Sequence, residues 1–234
     1  MPLLKYLTEN TGADFKIKPM PSYEGTADQI ASGTIQVAMI SPAPYVKAKR
    51  ANPKLEILVT ELSWNHDKTL KRDSYQSHIL VKADRADLTS IESLKGKKFA
   101  FVSEESTSGY VVPLAHLREK KIDYKTYFSQ VLFLGSHPAV TDAIAAGSVD
   151  AGATWDFNWK QAVAKNGDVY RSIWTSDPIP NLCIVAHPKV GKALQKKIRK
   201  LLLDVPPKLL EGLSSVGFVH RSDSFYDSVR RLEK

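Results

Sequence analysis

Ser106-Thr107-Ser108-Gly109-Tyr110 sets three hydroxyls and a glycine shortly after the apolar run Phe99-Ala100-Phe101-Val102. The order reads as strand, tight turn, helix start. The N–H groups in the first turn of a helix have no carbonyl partner within it, and the helix dipole favours negative charge there. Serine and threonine side chains add donors, and Gly109 lets the backbone come close to a bound group. Such a turn suits an anion. The same residues also make an ordinary N-cap, so the tripeptide alone leaves both readings open.

Other polar and aromatic residues gather at strand ends, where open α/β sheets bind ligands. Ser41-Pro42-Ala43-Pro44-Tyr45 and Gly135-Ser136-His137-Pro138 each follow an expected strand, and Tyr75-Gln76-Ser77 precedes one. Asp156, in Thr154-Trp155-Asp156-Phe157-Asn158-Trp159, either lines a cleft or belongs to a loop that packs its aromatics. The remaining histidines, at 66, 78, 116, 187 and 220, show no metal-ligand spacing. The chain carries no nucleophile elbow, phosphate-binding P-loop or dinucleotide fingerprint. These observations point to a binding protein with no catalytic residue, metal or cofactor.

The elements that must hold these residues follow an internal repeat. Segments 21–38 and 135–152 align at a constant offset, with Asp28 matching Asp142 and Gly33 matching Gly147. Each reads as a short helix entered through Ser plus a ring residue, Tyr23 or His137, and closed by a C′ glycine before a strand. The repeat brings Tyr23 into the candidate set and argues for two similarly built lobes, each with a parallel sheet. Helices are expected at 3–10, 25–32, 43–51, 109–120, 138–146, 189–203 and 207–216, with a last turn near 224–232. Strands are expected at 35–40, 55–60, 78–82, 98–102, 131–134 and 149–154. Alternating strands and helices mean α/β.

With 234 residues, 43% of them hydrophobic, the chain can bury a core or two. Lys and Arg outnumber acids 33 to 25, a net charge of +8. Such a balance suits nucleic acid, a membrane surface or small anions. No zinc-finger spacing or RNA-binding aromatic motif appears, which sets nucleic acid aside. Lys196-Lys197-Ile198-Arg199-Lys200 reads as the wet face of an amphipathic helix. The single cysteine, Cys183, lies in an apolar run and reads as a small buried hydrophobe. No stretch is apolar for the roughly 18 residues a membrane helix needs. Met1-Pro2-Leu3-Leu4-Lys5-Tyr6 lacks the pattern of a signal peptide and reads as the middle of a helix.

Across nearly its whole length the chain resembles the phosphonate/phosphite/phosphate-binding family of periplasmic solute-binding proteins of ATP-driven importers. The residues that carry the resemblance are Ile35-Gln36-Val37-Ala38, Ser41-Pro42-Ala43-Pro44-Tyr45, Ser93-Leu94-Lys95-Gly96-Lys97-Lys98, Ser106-Thr107-Ser108-Gly109-Tyr110, Gly135-Ser136-His137 and Pro178-Ile179-Pro180-Asn181. The resemblance implies an α/β, two-lobed, type II binding-protein fold, each lobe a mainly parallel sheet flanked by helices, hinged by two crossing segments. Residues 1–79 and 183–234 would form one lobe and 80–182 the other. In the cleft between them Ser106, Thr107 and Ser108 would bind the phosphoryl oxygens. His137 would add a donor, and Tyr45 and Tyr75 would give hydroxyls from the other lobe.

The resemblance further implies a membrane permease partner, a monomer, and a place in the periplasm or on an extracytoplasmic lipid anchor. Two departures matter. Many relatives follow Pro-Ile-Pro-Asn with an aspartate that faces a ligand ammonium, and here that position is Leu182. The expected ligand therefore lacks an amine. Relatives also begin with a strand before the first helix, which this sequence does not show. A ligand-sensing module of the same fold, or a cofactor-metabolism enzyme on it, are the alternatives.

Overall fold

The computed structural model describes residues 2–19, 25–64 and 69–232. In chain order it runs α1 (Pro2–Thr11), α2 (Thr26–Ser32), β1 (Val37–Ile40), α3 (Pro42–Ala51), β2 (Glu56–Trp64), β3 (Lys71–Arg72), β4 (Ser74–Tyr75), β5 (Ser77–Lys82) and β6 (Lys98–Phe101). A wide turn, Thr107–Val111, leads into α4 (Val112–Glu119) and α5 (Tyr124–Tyr127). Then come β7 (Gln130–Phe133), α6 (His137–Ala145), β8 (Ala151–Trp155), α7 (Asp156–Asn166), β9 (Tyr170–Thr175), β10 (Ile179–Pro180) and β11 (Cys183–Ala186). The chain closes with α8 (Lys192–Leu203), β12 (Gly217–Val219) and α9 (Asp227–Leu232).

Two compact units result, Met1–Ser74 with Pro180–Arg231, and Tyr75–Ile179. The chain thus passes between them at 74/75 and 179/180, a few residues ahead of the boundaries at 79/80 and 182/183 read from the sequence. A break after residue 79 would cut β5, whose residues pair with β8 and β9 from Ser77 and His78 onward.

The first unit has the sheet order β1-β11-β2-β12, with β3 added beside β2. The pairs β1–β11, β11–β2, β2–β12 and β2–β3 are all antiparallel. This corrects the expectation of a mainly parallel sheet. β1 and β2 do run the same way, but β11, returning from the second unit, inserts between them and pairs with both. The apolar residues of α8 explain its docking. Ile198 and Leu202 are buried with Leu58, Val59, Ile184 and Phe218 in one core. Arg199 does not stay in solvent as its helix face suggested: its guanidinium donates to the carbonyls of Ile57 and Leu58 at 2.8 and 3.1 Å. Cys183 is wholly buried in β11, where desolvation pushes its thiol up to about 12.

The second unit has the order β7-β6-β8-β5-β9. β6 pairs in parallel with β7 and β8, whereas β5 pairs antiparallel with β8 and β9. Its sheet is therefore mixed, again correcting the parallel expectation. Continuous burial of β5 and β8 reports two covered faces, not strand direction. Ile79, Val81, Phe99, Phe101, Leu117 and Ala153 lie in its core. The missing side chain of Gly152 lets α6 sit close, since a Cβ there would stand 2.5 Å from Val140 Cγ1.

The repeat is visible in both units: α2 ends at Gly33 (φ +75°), and α6 is followed by Gly147 (φ +72°). Ser136 caps α6 as expected, its Oγ accepting the Ala139 N–H at 3.3 Å. Two stretches depart from the sequence reading. Residues after Trp155 form helix α7, not a loop. The expected helix at 207–216 is one short turn, Pro207–Leu210, that gives way to β12. Gly212 (φ +80°) breaks it, and the Ser214 and Ser215 hydroxyls donate to the buried carboxylate of Glu61 instead of capping a helix.

Candidate functional site

The turn after β6 owes its shape to Pro113. In a regular helix the residue at 113 would donate to the Gly109 carbonyl; proline has no N–H, and its ring crowds that carbonyl. The turn widens accordingly into a π-type turn, with the Val111 N–H on the Ser106 carbonyl at 3.0 Å and the Val112 N–H on that of Thr107. Two carbonyls are left over. That of Ser108 accepts the Ser77 hydroxyl at 2.7 Å, and that of Gly109 accepts the Val102 N–H at 3.1 Å. The turn is thereby tied to β5 and to the end of β6.

Ser106 starts this turn in extended conformation, and its Oγ accepts the Gly109 N–H at 3.1 Å. Gly109 also has a packing role. A Cβ there would stand 2.4 Å from Val102 Cγ2 and 2.7 Å from Ser106 Oγ. The glycine therefore lets the turn close on its own strand and cap.

His137, first residue of α6, comes to the same place. Its Nε2 is 3.5 Å from Ser106 Oγ, and its Nδ1 is 3.1 Å from Thr154 Oγ1. The Asn158 amide donates to the His137 carbonyl at 3.2 Å and to Thr154 Oγ1 at 3.0 Å. The ring is only 8% exposed. Burial pulls its pKa from 6.5 to about 4, because a charged imidazolium would lose its hydration there. At neutral pH the ring is uncharged.

The structure thus brings Ser106, Thr107, Ser108, Gly109 and His137 together. Tyr75 belongs to the second unit as well, which corrects its assignment to the other lobe; its ring meets that of Trp155 edge-on at 5.5 Å. Trp155 in turn lies 6.1 Å from His137. Asp156 opens α7, with Oδ1 accepting the Gln76 N–H at 2.8 Å and standing 3.3 Å from His78 Nε2. Tyr45 is in the first unit, fully buried, with its hydroxyl 2.5 Å from Asp223 Oδ1. Burial and that carboxylate push its phenol far up. Tyr23 lies outside the described residues.

Sequence reasoning missed Ser77, Thr154 and Asn158. A polar residue at the third position of α7, four after a strand-end threonine, was the available signal. Among the described residues no group of His, Cys, Asp and Glu is arranged to hold a metal ion, and no helix is long and apolar enough to cross a membrane.

A family model described as "ABC transporter, phosphonate, periplasmic substrate-binding protein" matches residues 1–226. A phosphate-import protein of Mycolicibacterium smegmatis is 27% identical, covering 99% of this chain and 78% of its own. PhnD1 of Prochlorococcus marinus, solved in complex with methylphosphonate, superposes with a TM-score of 0.85 at 20% identity, over 99% of this chain and 89% of its own. A binding-protein component of a Pseudomonas aeruginosa phosphonate transporter also gives 0.85, at 21% identity over 99% and 78%. These likenesses show the type II periplasmic binding-protein fold. The chain belongs to the family of phosphonate substrate-binding proteins of ABC transporters.

Proposed function

We propose that this chain captures a small tetrahedral phosphorus oxyanion, such as phosphite, methylphosphonate or phosphate, with Ser106, Thr107, Ser108, Gly109 and His137. The observation that carries the reading is the 3.5 Å approach of His137 Nε2 to Ser106 Oγ at the opening of a helix. A neutral ring, hydroxyls and helix-end amides offer hydrogen bonds to an anion without burying a fixed cation. The net charge of +8 supplies a mild long-range attraction for anions. The names of the relatives, a phosphate importer and a methylphosphonate complex, favour the same ligand class.

Tyr75 and Asp156 extend this set on the second unit, while the family resemblance adds Tyr45 and the internal repeat adds Tyr23. Leu182, where an ammonium-pairing aspartate stands in many relatives, argues for a ligand without an amine. The protein would work as a monomer, in the periplasm or on a lipid anchor, pass its ligand to a membrane permease and saturate without turnover.

Titration calorimetry with phosphite, phosphate, methylphosphonate, sulfate and 2-aminoethylphosphonate tests the reading. Tightest binding of one of the amine-free phosphorus anions is expected. No binding of any of them, or a clear preference for 2-aminoethylphosphonate, overturns it.

A further inference from the structure

We infer that Thr154 and Asn158 are positioning residues that lock His137 in its Nε2–H tautomer, so that the imidazole donates to Ser106 and turns that hydroxyl's own hydrogen toward a bound oxyanion. The inference rests on the site proposed above and adds how that site is set.

The proton positions follow from the partners. The His137 carbonyl can only accept, so the group of Asn158 that faces it at 3.2 Å is the NH2. That nitrogen also lies 3.3 Å from Thr141 Oγ1 and 3.0 Å from Thr154 Oγ1. The Thr141 hydroxyl gives its own hydrogen to carbonyls, of Pro138 at 3.0 Å and His137 at 3.3 Å. Thr154 Oγ1 therefore accepts from Asn158. Thr154 is fully buried, and its one hydrogen has a single acceptor within reach among the described residues, His137 Nδ1 at 3.1 Å.

A ring nitrogen that accepts carries no proton, which places the proton of the neutral ring on Nε2. The opposite tautomer would point Nδ1–H at Thr154 and strand the threonine hydrogen in the core, a costly arrangement. Burial, which pulls the ring's pKa to about 4, keeps it in one neutral form rather than as imidazolium. The Nε2–H is directed to Ser106 Oγ, which already accepts the Gly109 N–H. With two N–H groups arriving, the Ser106 hydrogen is free to turn to a ligand oxygen. The series from Asn158 to Thr154 to His137 to Ser106 is polarised in one direction, and each donation strengthens the next.

The test is nitrogen-15 NMR of the histidine rings in the ligand-free protein, with calorimetry against methylphosphonate and phosphite. An amine-type Nε2 and an imine-type Nδ1 are expected at His137. Thr154→Val should release the ring to sample both tautomers and weaken binding of the two anions by roughly tenfold. Thr154→Ser keeps the hydroxyl and should restore both readouts. A wild-type ring protonated on Nδ1, or a folded Thr154→Val protein with unchanged tautomer and affinity, overturns the inference. If Thr154→Val does not fold, the wild-type tautomer and Thr154→Ser still decide it. A ring in the Nε2–H form in a protein that binds neither anion supports this inference and defeats the proposed ligand class.

Discussion

The Ser77 hydroxyl donates at 2.7 Å to the backbone carbonyl of Ser108, one of the two carbonyls that the widened turn leaves over. A residue on β5 thus fixes the turn that carries the candidate site. Ser77→Ala leaves that buried carbonyl unsatisfied, which should cost about 1–3 kcal/mol of stability. Denaturant unfolding measures this. Calorimetry should show weaker binding of methylphosphonate, because the turn loses its anchor; unchanged stability and affinity would mean that the carbonyl finds another donor.

Gly109→Ala drives a methyl into Val102 and Ser106, at 2.4 and 2.7 Å. Overpacking of this kind costs about 1–3 kcal/mol. The Ser106 cap is displaced at the same time, so affinity for phosphite and methylphosphonate should fall with the melting temperature.

His137 gives stability a pH dependence. Its pKa falls from 6.5 to about 4 on folding, so between those values the unfolded chain holds more protons than the folded one. Stability should therefore rise with pH through this window, be complete above about 6.5, and lose on the order of 3 kcal/mol below about 4. Unfolding curves of the wild type and His137→Gln, taken at intervals across the window, isolate the effect. Other histidines contribute equally to both curves, and a difference that does not change with pH would refute the assignment.

The two repeat glycines should respond differently. Both have positive φ, but a Cβ on Gly33 would stand 2.7 Å from the His187 ring, whereas Gly147 has open space around it. Gly147→Ala should cost only the backbone strain of about 1–2 kcal/mol, and Gly33→Ala clearly more. Thermal unfolding of the pair checks the order.

Leu182→Asp places a carboxylate where the family resemblance implies the partner of a ligand ammonium. Its affinity for 2-aminoethylphosphonate relative to methylphosphonate should rise at least several-fold. An unchanged ratio would remove Leu182 from the account of specificity.

Much of the candidate site's local structure was legible because its signals are local. Ser106 and Ser136 announce helix starts, and Gly33 and Gly147 announce helix ends, through chemistry that spans a few residues. The direction of the strands was not, since burial on both faces looks alike in parallel and antiparallel sheets. β11 decides the first unit's pattern, and its partners β1 and β2 lie more than a hundred residues away along the chain. Helix α7 was hidden because Trp155-Asp156-Phe157-Asn158 mixes aromatics with cap-forming residues. Asn158 and Thr154 gain meaning only once α7 and β8 bring them to His137.

The covered thiol of Cys183 has a practical side. Desolvation keeps it protonated under ordinary labelling conditions, and the chain has no second cysteine. Any cysteine placed on the surface would be the sole reactive handle for a fluorophore. The wild-type sequence is already a clean background for building a reagentless optical reporter of whatever anion the protein takes up.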